Sequence, residues 1–169
     1  MTVSEAIRGR RSIRRYQPEV VIPREEICQM LEAAMMAPSA CNTRPWEFVV
    51  VEDRARREAL AKVHPYCSFA PAASLVIVVC GLPERQAATG GYEFWPQDCG
   101  AAIENLLLEA YALGYGTCWC GVYPNPERVR ALQELLGVTS TPLAAVAVGA
   151  PAESPAARGF FDEAKVRFL

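Results

Sequence analysis

Gly9-Arg10-Arg11-Ser12-Ile13-Arg14-Arg15-Tyr16 holds four of the chain's 17 basic residues, and Arg8 directly precedes it. A guanidinium offers several donors in a rigid fork that fits phosphate oxygens, and a serine hydroxyl adds another. In an extended segment Arg10, Ser12 and Arg14 share one face. That spacing predicts a pocket for a single phosphate group rather than a sheath for a polymer. The competing reading of the same run is a solvated basic face near a terminus.

The rest of the chain bounds the choice. Its 169 residues are 51% hydrophobic and 21% charged, which predicts one globular domain over 1–169 with a substantial core. A net charge of −2 balances the basic start elsewhere and argues against a general nucleic-acid binder, which shows a basic face. No apolar run reaches the roughly 18 residues of a membrane span, and no apolar h-region marks a secretory signal. Seven cysteines are an odd number for a disulfide framework at this core size. They read as reduced thiols acting as small hydrophobes, and so as a cytoplasmic chain.

Patterning supplies the elements. Thr2 and Glu5 have capping-box spacing, so a helix starts near Val3 with Val3, Ala6 and Ile7 as its buried stripe, fraying near Gly9. Ile27, Met30, Leu31, Ala34 and Met35 recur at helical spacing over 24–37, with Met35 and Met36 as core filler and Pro38 as the stop. A strand over 47–52 is followed by a helix over 54–63 capped by Asp53. His64, the only histidine, reads as a structural or surface residue at a helix end, where a cation is favourable. The continuous apolar run Ser74–Cys80 reads as a strand buried on both faces, which requires helices on both sides of a sheet. Residues 81–96 form a long connection ending in aromatics. Tyr92, Phe94 and Trp95 are candidates for a wall or lid over a flat ligand, against the plainer reading of a loop pinned by aromatic packing. The longest helix covers 97–113 and ends at Gly114, another runs from Asn125-Pro126 to Gly137, and 143–149 is a second buried strand. Gly114–Val122 is not a dinucleotide fingerprint, since its glycine spacing is wrong and it follows a helix.

Five segments, in order, resemble the nitroreductase family of flavin enzymes. Arg10-Arg11-Ser12-x-Arg14-x-Tyr16 resembles its opening motif, which grips the FMN phosphate. Ala37-Pro38-Ser39-Ala40-Cys41-Asn42-Thr43-Arg44-Pro45-Trp46 is similar to the family's A-P-S-x-x-N-x-Q-P-W, which touches the flavin across a subunit boundary; Arg44 stands in place of glutamine. Gly114-Tyr115-Gly116-Thr117-Cys118-Trp119-Cys120-Gly121 resembles G-x-G-[ST]-x-W-x-G, whose backbone amides reach the flavin ring. Val148–Glu153 and Arg158–Val166 resemble the closing motifs, where a basic residue at about Arg158 completes the phosphate site.

The resemblance implies an α+β, three-layer α/β/α fold around a central mixed sheet. It also implies a homodimer with FMN at its interface and the 97–113 helix in that interface, the final strand, 165–169, crossing to the partner. The implied cofactor-binding set is Arg10, Arg11, Ser12, Arg14, Pro38, Ser39, Ala40, Asn42, Arg44, Trp119, Cys120, Gly121 and Arg158. No acid, base or nucleophile constellation is evident, as expected where a cofactor carries the chemistry. The implied reaction is ping-pong: hydride from NAD(P)H to FMN, then electrons to a flat nitroarene or quinone. Two other readings stand beside it: a flavoprotein of this fold with a flavin-processing, dehalogenating or dehydrogenating role, and a thiol metal or redox module built on Cys118-x-Cys120 with Cys99. The latter lacks the usual C-x-x-C spacing and a second pair.

Overall fold

Thr2 and Glu5 form the reciprocal cap that their spacing predicts, each side chain bonding the other's backbone, and α1 (Val3–Gly9) follows. The description rests on a computed structural model covering residues 1–169. The element order is α1, α2 (Arg24–Met35), β1 (Trp46–Val51), α3 (Arg54–Val63), β2 (Leu75–Gly81), α4 (Trp95–Ala112), β3 (Gly116–Gly121), α5 (Pro126–Leu136) and β4 (Thr141–Gly149). Asp53 and Asn125 cap α3 and α5 as read from the sequence, accepting from the amides of Arg56 and Arg128. Gly114, at φ +89°, turns the chain out of α4 in the left-handed region that favours glycine.

The strands form one sheet in the order β1-β2-β4-β3, antiparallel at every pairing. The parallel contribution expected of a mixed sheet is confined to a single bridge, Ser12 to Thr117, on the outer edge of β3. Every residue of β2 is buried, so its apolar run alternates between two cores. Leu75, Ile77 and Val79 pack with Ala144, Val146 and Val148 against α2 and α4. Val76, Val78 and Cys80 pack with Cys118, Cys120, Ala145 and Ala147 toward α3 and α5. This is the three-layer α+β arrangement.

Four local expectations are corrected. Val3 and Ile7 are 72% and 58% exposed and Met35 and Met36 are 44% and 71% exposed, so these apolar groups face away from the chain's own core. Residues 116–121, read only as a glycine-rich turn, form edge strand β3. Its signal is the alternation of Thr117, Trp119 and Gly121 with the buried Cys118 and Cys120. The 81–96 connection is not structureless: Pro83–Thr89 is a 3-10 segment, and α4 begins at Trp95 because Pro96 fits its first turn. The expectation for 165–169 concerns a second copy and is not among these corrections; within the chain these residues form no strand, and Phe168 is 93% exposed.

Candidate flavin site

The arginine segment leaves α1 extended. Ser12 bridges Thr117, the amide of Ile13 donates to the Thr117 carbonyl at 2.8 Å, and Ile13 is buried. The alternation then breaks. Tyr16 turns into the same core as Ile13 and its hydroxyl donates to the Ile13 carbonyl at 2.7 Å, while the Glu153 carboxylate gathers the amides of Arg14 and Arg15 at 2.6 and 3.1 Å. As a result Arg10 and Arg11, rather than Arg10, Ser12 and Arg14, line a cavity of about 570 Å³, together with Tyr111, Gly116, Thr117 and residues 151–155. Arg10 Nε lies 3.5 Å from the Glu104 carboxylate, within ion-pair range, yet it is buried and makes no hydrogen bond. Arg11 Nη1 donates to the Ala156 carbonyl at 2.8 Å. Arg158 is exposed beyond this cavity.

From that cavity β3 runs back alongside α4. In an antiparallel ladder successive residues turn their backbone groups to opposite edges. Thr117 spends its carbonyl on Ile13, so Thr117, Trp119 and Gly121 face the outer edge and Cys118 and Cys120 face β4. The amides of Trp119 and Gly121 are therefore left on the open side of the sheet. A Cβ built on Gly121 meets nothing within 4 Å, so the chain itself does not require glycine there. The Trp119 side chain, 40% exposed, lies over Gly100 of α4. The Cys120 side chain points into the α3–α5 core, so only its main chain is available at this edge. An open cavity lined by two guanidinium groups, followed by an edge with free amide donors and no side chain at Gly121, fits a phosphate-tailed planar group such as FMN.

Pro38–Arg44 lies elsewhere. Cys41, Asn42 and Arg44 all have positive φ (51°, 54° and 48°), a strained turn held by its surroundings. The Ser39 hydroxyl accepts the Arg44 amide at 2.9 Å, and the Asn42 side-chain oxygen accepts Arg44 Nε at 3.1 Å. The buried Asp98 carboxylate accepts the Ala40 amide and the Gln86 side chain, each at 3.0 Å, and Gln86 accepts the Trp95 amide at 2.8 Å. The sequence reading assigned Asp98, Gln86 and Glu153 no role; an acidic residue in the first turn of a helix was the signal for the first of them. This turn shares a hollow of about 310 Å³ with Phe94, Gln97 and Ala101. Between Gln97 and Tyr111 lie roughly 21 Å of helix axis at about 1.5 Å per residue. Arg10 and Arg11 of the expected cofactor set therefore line one cavity of the single chain, and Pro38, Ser39 and Ala40 line another.

Of the aromatic trio, Tyr92 and Phe94 are surface groups with ring centroids 6.1 Å apart. Trp95 is corrected to a core residue: it is 2% exposed, and the space beside Gly81 is filled by its ring. His64 is not a surface cation either. It is buried, burial holds its pKa below the ordinary value, and Nε2 lies 3.0 Å from the Gly121 carbonyl. The seven cysteines are free thiols. Cys99 belongs to the α2–α4 core and Cys118 and Cys120 to the other, so the sheet separates the set that a thiol module would need. No group of three or more His, Cys, Asp or Glu side chains converges in metal-binding fashion.

Comparison with known proteins gives a consistent picture. The model of the Nitroreductase family matches residues 7–65 and 59–150. A Methanothermobacter thermautotrophicus protein with the provisional name NADH dehydrogenase/NAD(P)H nitroreductase is 42% identical over 168 residues, 98% of this chain and 86% of that protein. An FMN-dependent nitroreductase from Clostridium difficile superposes with a TM-score of 0.88 at 28% identity, covering 98% of each chain. A Desulfovibrio desulfuricans protein solved in complex with FMN superposes with a TM-score of 0.82 at 31% identity, covering 100% of this chain and 98% of that one.

Proposed function

This chain belongs to the nitroreductase family, and from that premise we propose that it is an FMN-dependent NAD(P)H oxidoreductase acting on flat electron acceptors such as nitroarenes and quinones. The observation that carries the reading is that β3, whose Gly116 and Thr117 line the Arg10–Arg11 cavity, leaves the amides of Trp119 and Gly121 on its open edge. Arg10 and Arg11 would hold the phosphate, with Arg14 and Arg158 adding positive field from the exposed side. The β3 edge would hold the ring, its amides facing the polar rim where negative charge gathers on reduction. FMN, when bound, supplies the hydride chemistry, taking electrons from NAD(P)H and passing them to the second substrate in a ping-pong sequence. The chain's own part is to bind, orient and exclude water.

The separation of Pro38–Arg44 from the arginine cavity supports a homodimer in which each flavin is held by residues of both copies. Ser39, Ala40 and Asn42 of one copy would meet β3 of the other. An apolar surface on α1, α2 and α4 fits such an assembly. Val3, Ile7 and Met36 are exposed there, and Val3, Ala6, Met36 and Leu108 line a hollow of about 450 Å³. The exposed Phe160, Phe161 and Phe168 give the 158–169 segment an apolar surface suited to crossing onto a partner. Tyr92 and Phe94 would then flank the acceptor, and Arg44, its fork half-used by Asn42, would lie beside it. No helix is long and apolar enough to cross a membrane, and reduced buried thiols fit a cytoplasmic setting.

The test is the visible spectrum of purified protein reconstituted with FMN and followed anaerobically as NADPH and then NADH are added. Bleaching by either donor and reoxidation by a quinone is the expected result. Flavin that binds but stays oxidised with both donors favours a same-fold flavoprotein with another role. Failure to bind FMN overturns the reading.

A further inference from the structure

Gly121 is the last residue of β3, an edge strand, and it has no side chain to hold it. Glycine gains most from conformational freedom, so its backbone at a strand end is the part of the ladder most inclined to fray. Beyond the pairing of its neighbours to β4, one side-chain contact opposes this. His64, 57 residues earlier at the end of α3, places Nε2 3.0 Å from the Gly121 carbonyl oxygen. A carbonyl only accepts, so the proton of the neutral ring is on Nε2. The other nitrogen, Nδ1, is buried and has no partner in the chain. An apolar side chain would fill the same space without stranding a ring nitrogen. What the imidazole adds is the donor.

The carbonyl and amide of residue 121 leave the strand toward the same edge, the open one. Cys120 and Val122, on either side, are paired toward β4, the latter through its amide to the Leu143 carbonyl at 2.9 Å. The Gly121 carbonyl shares a peptide plane with the Val122 amide, and the Gly121 amide shares one with the Cys120 carbonyl. A bond at the Gly121 carbonyl therefore braces the last plane of the strand, and the Cys120–Ala145 pairing braces the plane before it. We propose that His64 is a positioning residue for the flavin ring: its Nε2–H ties down the Gly121 carbonyl so that the end of β3 does not fray and the strand keeps the Gly121 amide directed at the cofactor. This rests on the FMN reading above. His64 touches neither flavin nor substrate; it acts through the strand.

Two variants and one measurement on the apoprotein test it. His64→Leu keeps bulk and removes the donor, whereas His64→Gln restores an N–H. With FMN loaded, His64→Leu is expected to retain the cofactor, because the phosphate cavity is untouched. Its flavin absorption envelope should shift and its midpoint potential should become more negative. Its kcat for NAD(P)H oxidation should fall by roughly three- to thirtyfold, less than the 10²–10³ seen when a direct donor is removed, with KM unchanged. His64→Gln should return all of these toward the parent. A merely structural role would lower the melting temperature and leave potential and spectrum alone. Separately, ¹⁵N spectra of the apoprotein should show the Nε2–H tautomer of its single histidine. Parent-like potential and spectrum in His64→Leu, or an Nδ1–H tautomer, would overturn the proposal. Should His64→Leu not fold, the tautomer and the potential of His64→Gln still decide it. A parent that shows the Nε2–H tautomer but binds no FMN overturns the flavin reading, and this role with it.

Discussion

The Glu153 carboxylate accepts the Arg14 amide at 2.6 Å across 139 residues, joining the arginine segment to the stretch after β4. Hydrogen bonds from the Arg14 and Arg15 amides, with those residues' positive charge, hold its pKa below the ordinary carboxylate value. A carboxylate whose folded pKa is depressed stabilises the folded state above its unfolded value, and that contribution disappears as pH falls through the folded one. The denaturation midpoint of Glu153→Gln should therefore lie below the parent's at pH 6, and the gap should close as the pH drops below about 4.5. Urea titrations of both proteins between pH 6 and pH 3 check this. A gap that stays constant over that range would show that the charge of Glu153 is not the anchor.

Arg10, with its Nε buried and without a hydrogen bond, is the side chain best placed to gain a partner. Charge-assisted bonds contribute about 1.5–3 kcal/mol each, so Arg10→Ala should weaken FMN binding by roughly 10- to 150-fold. Arg14, outside the cavity lining, should matter less. Fluorescence titration of apoprotein with FMN gives both constants, and equal losses would contradict the assignment.

Because the Pro38–Arg44 turn and the arginine cavity are separate in one chain, function should complement between copies. Arg10→Ala and Asn42→Ala homodimers should each bind FMN weakly. A heterodimer isolated with two different tags should regain one site of parental affinity, since one of its sites carries both defects and the other neither. If both halves of a site came from the same chain, no parental site would reappear.

Two glycines should separate packing from binding. A Cβ at Gly81 would sit 2.0 Å from the Trp95 ring, so Gly81→Ala should cost about 1–3 kcal/mol of stability through overpacking. A Cβ at Gly121 meets nothing within 4 Å of the chain, so Gly121→Ala should leave stability within about 0.5 kcal/mol. It should nevertheless weaken FMN binding by about tenfold or more, the equivalent of about 1.4 kcal/mol. Thermal melts of the apoproteins and FMN titrations read the two effects independently.

The sequence made much of this legible where one local rule dominated. Thr2/Glu5, Asp53 and Asn125 announced helix starts because capping is a contact within one turn. The Ser74–Cys80 run announced a sheet covered on both sides because no alternation was left for solvent. What it could not supply were relationships set by the fold. Val3, Ile7 and Met35 have helical spacing that says apolar face, but not which surface that face meets. Trp95 looked like a ligand wall because a loop of glycines preceded it; Gly81, fourteen residues earlier, is what makes room for its ring in the core. Of the site, the arginine and glycine motifs were readable, whereas the backbone amides that Asp98, Gln86 and Glu153 hold are brought to them only by the fold.

The burial of thiols has a consequence for life with oxygen. A cysteine reacts as its thiolate, and in Cys80, Cys99 and Cys120 burial contributes to pushing the pKa up to about 11 or 12, while Cys67 and Cys118 are also buried. Only Cys28 and Cys41 are exposed. Reagents that attack thiols therefore meet two cysteines rather than seven. One of them, Cys41, stands inside the Pro38–Arg44 turn, where its rate of labelling would register whether that turn is covered.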